Sequence, residues 1–256
     1  MTGPMDELFD RSARWQALDE ALGRSLGPRP PSMLFDVAAG LALPGDGPVL
    51  DAGCRDGAHA RTLAERLGRL VLGVDLVRGN LSGVRTAAVA DVAALPFPAG
   101  AFALVWCRDT LELVPDPAAT VAEMARVLRP GGAVLLYTAW ATEALEPAER
   151  ARLFSALALS PAGADRACVE AAIGASGLAV ESFEEVSPEW AEHDLEHGGG
   201  RTVASLLTLA RLRRGRDRFA ALAGERAYEQ AVAFSQWAAY LVLGKLQTGL
   251  WVLRRS

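Results

Sequence analysis

The sequence predicts an α/β fold, in which a mostly parallel sheet is covered by helices on both faces. Short apolar runs typical of buried strands alternate with segments of helical periodicity between residues 49 and 140. The chain has 256 residues, and 51% of them are hydrophobic, so it can bury a sizeable core. Acids and glycines follow several of the apolar runs, where an open parallel sheet binds its ligands.

Residues 1–44 are predicted to form two N-terminal helices. Residues 5–24 carry large apolar side chains at helical spacing, which are Leu8, Trp15, Leu18 and Leu22. The segment GPRPP ends this helix, and Ser32 is a candidate N-cap for a second one. PGDGP at 44–48 is a turn before the sheet.

Five strands with intervening helices come next. The strand segments are VLDAG (49–53), LVLGVDL (70–76), AAVADV (87–92), ALVWCRD (103–109) and AVLLYTAW (133–140). The helical segments are AHARTLAERLG, which Gly68 ends, and PDPAATVAEMARVL, which RPGG closes. Strands separated by helices in this way predict parallel pairing.

Beyond Trp140 the pattern predicts a helix at 168–178 and two more strands, at 179–186 and 249–255. Residues 188–244 separate these two strands and read mostly as helix. Such an insertion is either additional core or a lid over a substrate pocket, and the lid is favoured because long insertions in compact domains are usually functional or disordered. The sheet domain would then comprise residues 45–187 and 245–256.

Composition excludes several classes of protein. A net charge of −5 gives no global attraction to nucleic acid or to an anionic membrane. Cys54, Cys107 and Cys168 are too few for a disulfide framework and predict reduced thiols in the cytoplasm. We recognise no signal peptide and no apolar stretch of about 18 residues that would span a membrane. The composition does not indicate an oligomeric state.

The stretch VLDAGCRDG places an acid and two glycines at the end of the first strand. Gly53 and Gly57 would let the backbone approach a ligand, and the following helix offers free N–H groups. A dinucleotide site would begin G-x-G-x-x-G and welcome a pyrophosphate, whereas Asp51 repels phosphate and suits an ammonium group. Asp75 ends the second strand, where an acid usually binds ribose hydroxyls. Asp91 ends the third, where it could accept a bond from the amine of a base. S-adenosylmethionine combines an ammonium, a ribose and an adenine without a phosphate.

The motifs VLDAGCRDG, VLGVDL, ADVAALPFPAGAFALV and RVLRPGG together resemble those of class I S-adenosylmethionine-dependent methyltransferases of the small-molecule type, over about residues 45–140. The resemblance implies a seven-stranded, Rossmann-like doubly wound sheet with an antiparallel last strand, and S-adenosylhomocysteine as product. It implies that Asp51 and Gly53 hold the methionine end and that Asp75 binds both ribose hydroxyls. Contacts with the rest of the cofactor are implied for Leu76 on adenine, Asp91 and Val92 at the adenine edge, and Cys107 along the cofactor.

Two residues depart from the family pattern. Arg55 stands where the family usually has a third glycine, which bears on the geometry beside the cofactor. Ala103 stands where the family usually has an acid, at a place we expect to lie outside the methyl-transfer centre.

His193 and His197 are four residues apart and would share one helix face. A zinc site needs a further ligand and none is evident, so no metal is predicted. The pair is either part of a solvated acidic helix face or a lid element that supplies a general base.

The leading hypothesis is an enzyme that transfers a methyl group to an O, N or C nucleophile of a small molecule, such as a secondary metabolite. One alternative is a cofactor-binding protein of the same fold that does not transfer methyl. Another is a cyclase-like enzyme that uses the lid pocket. A fold does not by itself identify the acceptor.

Overall fold

The computed structural model describes residues 13–23, 27–186 and 188–256. The strands are β1 Val49–Ala52, β2 Val71–Asp75, β3 Ala87–Val89, β4 Phe102–Arg108, β5 Leu128–Ala141, β6 Ala179–Glu185 and β7 Leu246–Arg254. They form one sheet in the order β3-β2-β1-β4-β5-β7-β6. Strand β7 runs antiparallel to both of its neighbours, and the other pairings are parallel. The predicted seven-stranded sheet with an antiparallel last strand is confirmed.

Helices cover both faces of the sheet. They are α1 Ala13–Leu22, α2 Met33–Gly40, α3 Ala58–Leu67, α4 Pro117–Val127, α5 Pro147–Leu157, α6 Arg166–Ala175, α7 Glu189–Glu196, α8 Arg201–Arg214, α9 Arg216–Ala223 and α10 Glu225–Val242. One core cluster packs Met124 of α4 and Ile173 of α6 against the sheet. A second cluster packs Leu34 of α2 and Leu63 of α3 on the opposite face. The doubly wound arrangement positions the carboxyl ends of β1, β2 and β4 at one common edge.

The N-terminal prediction holds only in part. Leu8 and the start of the predicted helix lie outside the described residues. Trp15, Leu18 and Leu22 follow one another at helical spacing in α1, but they are 48%, 45% and 71% exposed. Their apolar face is therefore not buried by the described residues. Ser32 occupies the N-cap position of α2, yet its side chain makes no capping hydrogen bond.

Several boundaries differ from the prediction. Asp91 follows β3 by two residues instead of ending it, and β4 ends at Arg108, one residue before the end of the predicted strand. Helix α5 was not predicted, although its start carries a capping box between Glu146 and Glu149 with Pro147 in the first turn. The apolar residues of α5 follow no clear stripe, so periodicity alone did not reveal it.

The segment 188–244 is helical, as predicted, and it has a buried inner side. Tyr240 of α10 packs with Leu153 and Phe154 of α5 in a third core cluster, which also includes Leu246 of β7. Trp190 of α7 packs against the second cluster. Its role as a lid stays a prediction. Within the described part of the chain, no helix is both long enough and apolar enough to cross a membrane.

Candidate active site

Asp51 lies near the carboxyl end of β1 and is only 1% exposed. Its Oδ2 atom has no hydrogen-bond partner among the described residues. Burial raises the pKa of Asp51 to about 7, and the amide of Ala60 opposes that rise. A buried carboxylate oxygen without a partner is costly unless a ligand satisfies it. The site therefore fits a cationic group, such as the ammonium of S-adenosylmethionine.

The turn between β1 and α3 requires two glycines. Gly53 has a φ of 86°, and a Cβ atom there would fall 2.1 Å from Oγ1 of Thr110. Gly57 has a φ of 71° and precedes the first residue of α3. Arg55, between them, also takes a positive φ, of 45°. The chain thus keeps a glycine-like conformation where the family usually has glycine, at a cost of about 1–2 kcal/mol.

Asp75 is the last residue of β2, and three donors from the protein hold its carboxylate. Oδ1 accepts hydrogen bonds from the amide of Val77 at 2.8 Å and from the side chain of Asn80 at 3.1 Å. Oδ2 accepts one from the amide of Arg55 at 2.9 Å. A carboxylate has about four acceptor positions, so one ligand hydroxyl fits without displacing a partner. A second hydroxyl would have to displace or share one, and the side-chain amide of Asn80 is the most movable of the three donors.

Sequence reasoning missed Asn80, which lies in the 3₁₀ turn Arg78–Leu81. Its spacing from Asp75 follows no motif, so only the fold brings the two side chains together. Leu76 directly follows Asp75 and is 68% exposed. It offers apolar surface beside the predicted ribose site, as packing against a base requires.

Asp91 and Val92 occupy different environments although they are neighbours. Asp91 is exposed, and its Oδ1 accepts a 2.9 Å hydrogen bond from the amide of Ala93, which closes the turn after β3. Val92 is 8% exposed and its side chain belongs to the core. Of the two, only Asp91 presents its side chain at the surface.

The side chain of Cys107 lies in the core, and its predicted place along the cofactor stays a prediction. It is fully buried in the core within β4, where it pairs with Ala52 and Leu136. Burial raises the pKa of its thiol well above the ordinary value. The residues that follow the strand are Asp109, with a φ of 52°, and Thr110. A non-glycine residue in this strained conformation is typical of functional sites, and sequence reasoning missed it.

Arg108 ends β4 beside a group of aromatic rings. Its Nη1 donates to Nε2 of His59 at 3.3 Å, and its Nε donates to Oδ2 of Asp109 at 3.1 Å. Burial, followed by the charge of Arg108, lowers the pKa of His59 to about 4, so this imidazole is neutral at pH 7. His59 also contacts Trp106 edge-on, at 6.0 Å between centroids. These contacts indicate that His59 contributes to local packing.

A cavity of about 230 Å³ lies between the helical insertion and the β5–β7 part of the sheet. The lining residues include Tyr137, Trp190, Asp194, Arg201, Ser205 and Thr248. Asp194 and Arg201 form an ion pair at 2.7 Å, so their charges largely cancel. The cavity is thus walled mainly by uncharged groups, and its size suits part or all of a small organic molecule.

His193 and His197 stack on each other, with ring centroids 3.9 Å apart and an angle of 13° between the planes. They do share one helix face, but neither is among the residues that line the cavity. His197 is exposed at the end of α7. The general base, one of the two readings of this pair, therefore gains no support from the cavity and stays a hypothesis. Among the described residues, no group of three His, Cys, Asp or Glu side chains is arranged to hold a metal ion.

Comparisons with known proteins agree with this fold. Residues 50–136 match the family model for a methyltransferase domain. The probable chloroplastic tocopherol O-methyltransferase of Oryza sativa subsp. japonica is 37% identical over 113 residues, covering 40% of this chain. The chain spans only 31% of the length of that relative. The class I methyltransferase resemblance carried by the sequence motifs is confirmed.

The similarity to solved structures extends over more of the chain than the similarity in sequence does. Geranyl diphosphate C-methyltransferase from Streptomyces coelicolor A3(2) has a TM-score of 0.62 at 19% identity, covering 88% of this chain and 79% of that one. The cyclase SpnF has a TM-score of 0.60 at 21% identity, covering 88% and 80%. At such identities only the fold is shared, and the fold alone does not decide which reaction takes place.

Proposed function

We propose that this chain binds S-adenosylmethionine and transfers a methyl group to an O, N or C nucleophile of a small molecule. The observation that carries the proposal is the buried Oδ2 of Asp51, which lacks a partner beside the glycine turn. A cofactor ammonium is a suitable partner for this oxygen, whereas a phosphate would be repelled. The match of residues 50–136 to a methyltransferase domain supports the same choice.

We assign to the predicted cofactor residues roles in binding that agree with their burial and their hydrogen bonds. Asp75 accepts hydrogen bonds from the ribose hydroxyls, and Leu76 packs on the adenine. Asp91 accepts from the adenine amine, while Val92 contributes through its backbone because its side chain is buried. Cys107 supports the strand beneath the cofactor without reaching solvent.

When bound, S-adenosylmethionine supplies an electrophilic methyl group on a sulfonium sulfur. The chain contributes alignment of the acceptor and exclusion of water, which such a displacement needs more than covalent catalysis. We place the acceptor in the cavity beneath the helical insertion, residues 188–244. Closing of this lid over the sheet would remove water from the reacting centre.

The purified chain and S-adenosylmethionine with a labelled methyl group test the proposal. Candidate acceptors come from comparing the metabolites of a producing strain with and without the gene. Equal amounts of S-adenosylhomocysteine and methylated product are expected. Binding of the cofactor by calorimetry, without S-adenosylhomocysteine from any acceptor, would overturn the proposal.

The second candidate is a cofactor-binding protein or a cyclase-like enzyme that leaves the methyl group in place. The observation in its favour is the cavity, since neither His193 nor His197 lines it and its carboxylate, Asp194, is paired with Arg201. Such a protein would convert its substrate without consuming the cofactor. The same product analysis separates the two.

A further inference from the structure

Arg108 is a mostly buried cation at the junction of the cofactor edge and the cavity. Its side chain is 14% exposed, and it follows the β4 residue Cys107 directly. On the cofactor side its charge acts on Asp51, and its Nε bonds to Asp109. The partner carboxylate of Asp109 is 51% exposed, so water weakens this ion pair.

The other side of Arg108 faces the wall of the cavity. Its guanidinium lies 5.9 Å from the ring centroid of Tyr137 and 5.3 Å from that of Trp190. These two rings stack at 4.9 Å, and both line the cavity. The cation therefore stands directly behind the aromatic wall of the proposed acceptor site.

One buried donor at this place lacks an acceptor. The indole Nε1 of Trp190 is buried and has no hydrogen-bond partner among the described residues. The guanidinium of Arg108 next to it donates through Nε to Asp109 and through Nη1 to His59. A buried donor without an acceptor next to a mostly buried cation favours an oxygen that carries negative charge.

We infer that Arg108 is a specificity-determining residue, which favours acceptors with an acidic oxygen, such as a phenol, an enol or a carboxylic acid, over amines. This inference rests on the proposed function. A guanidinium stays protonated in proteins, so it stabilises an oxyanion and repels an ammonium. Arg108 is not itself among the residues that line the cavity, so its charge acts on the acceptor through the wall that Tyr137 and Trp190 form. A stabilised oxyanion would make a histidine base unnecessary.

In the reaction that follows, the acceptor oxygen first loses its proton to water. Its lone pair then forms the new O–C bond as the C–S bond breaks, and the electron pair of that bond remains on sulfur. The neutral His59 and the exposed Asp109 also contact Arg108, but neither is placed as the proton acceptor in this step.

The test uses 4-nitrophenol as the probe, because its phenolate absorbs visible light and reports its own ionisation. The wild-type chain should bind 4-nitrophenol with its pKa below that of the free compound. Arg108→Gln should raise the pKa of the bound probe by about one unit or more, which is a tenfold loss of bound phenolate at low pH. Arg108→Lys keeps a positive charge and should retain part of the lowering of the probe's pKa. Arg213→Gln, at an exposed position of α8, is the matched control and should behave like wild type.

Equal titration of the bound probe in wild type and in folded Arg108→Gln would overturn the inference. So would a failure of the wild type to bind the phenolate, or tighter binding of benzylamine than of 4-nitrophenol. Calorimetry with S-adenosylmethionine is run on the same samples. A normal probe titration without any cofactor binding would contradict the proposed function and leave the anion site standing.

Discussion

The backbone amide of Arg55 donates a 2.9 Å hydrogen bond to Oδ2 of Asp75, twenty residues further along the chain. This bond joins the turn after β1 to the end of β2, which are the predicted sites of the methionine end and of the ribose. The positive φ of Arg55 places its N–H within reach of the carboxylate. The departure from glycine at this position is therefore compatible with the ribose site.

Replacing Asp75 with Ala should leave the fold intact and weaken S-adenosylmethionine binding by about 1.5–3 kcal/mol, the usual size of a hydrogen bond to a charged group. Calorimetry on both proteins gives this difference. Asn80→Ala keeps the carboxylate and should cost less than about 1 kcal/mol. Unchanged affinity in a folded Asp75→Ala variant would remove the ribose assignment.

Cofactor affinity should rise between pH 6 and pH 7. The pKa of Asp51 is raised to about 7 by burial, so much of this carboxyl is protonated at pH 6 in the free protein. The ammonium binds the ionised form, and binding at pH 6 therefore releases protons, which calorimetry in two buffers detects. Affinity should fall again above about pH 8 as the α-amino group of the ligand deprotonates.

Asp51→Asn should bind the cofactor more weakly and lose the acidic limb of this profile. Cys54→Ser and Cys168→Ser are the controls and should keep both binding and activity, because neither thiol has a role in the proposal. If the affinity of Asp51→Asn still falls at low pH, another group is responsible for that fall.

Gly53→Ala should destabilise the chain more than Gly68→Ala does. Both positions have a positive φ, of 86° and 62°, but only at Gly53 would the new Cβ meet Thr110, at 2.1 Å from Oγ1. The Gly68 variant measures the conformational cost alone, about 1 kcal/mol. Adding Thr110→Ala to Gly53→Ala should recover the steric part, as read from urea unfolding. Equal losses in the two single variants would show that the contact with Thr110 is unimportant.

The free energy of unfolding should fall as pH rises, because of the buried carboxyl of Glu112. Its carboxyl is buried, its Oε2 accepts a 2.8 Å hydrogen bond from Oγ1 of Thr138, and burial raises its pKa to about 8. The folded state holds a proton that the unfolded state releases above about pH 4.5. The contribution of this protonated carboxyl to the free energy of unfolding is fully present below that pH and is lost as pH rises through about 8. The loss is roughly 1.4 kcal/mol for each pH unit between the two pKa values.

Glu112→Gln removes this titration and should reduce the slope of the stability profile between pH 5 and pH 8, with a higher Tm than wild type at pH 8. The slope that remains below about pH 7 is expected from Asp51, whose pKa burial also raises. Glu170→Gln, on the exposed face of α6, is the control and should leave the profile unchanged. A profile that keeps its slope in Glu112→Gln would refute the buried, protonated state.

The segment 188–244 should gain protection from hydrogen exchange when S-adenosylhomocysteine and an acceptor bind together, if it is a lid. Gly198 and Gly200, between α7 and α8, both take positive φ, and glycine allows the backbone a wide range of conformations there. Protection equal to that of the central strands, and unchanged by ligands, would make it core. His193→Ala and His197→Ala should keep the rate, because neither side chain lines the cavity; a large loss would restore the base hypothesis.

The sequence was sufficient for the strand order along the chain, the glycine turn and the places of Asp51 and Asp75. It placed the strand ends less well, since Asp91 lies beyond β3 and β4 ends at Arg108 instead of Asp109. These errors arise because strand ends depend on the pairing partner as well as on the apolar run. Helix α5 was missed for a related reason, since its contacts with α10 lie far away in the sequence.

By itself, the sequence determined features that depend on neighbours along the chain: apolar periodicity, the turn between β1 and α3, and acids spaced from strand to strand. Only the tertiary structure decided which polar groups are buried without partners and which distant side chains meet. The 1% exposure of Asp51 results from packing against other strands and helices. Arg108, Tyr137 and Trp190 come from β4, β5 and α7, and their contact exists only because the sheet and the insertion fold together. Burial and long-range contact are properties of the packed chain, so no local pattern could encode the contact of a mostly buried cation with these two rings.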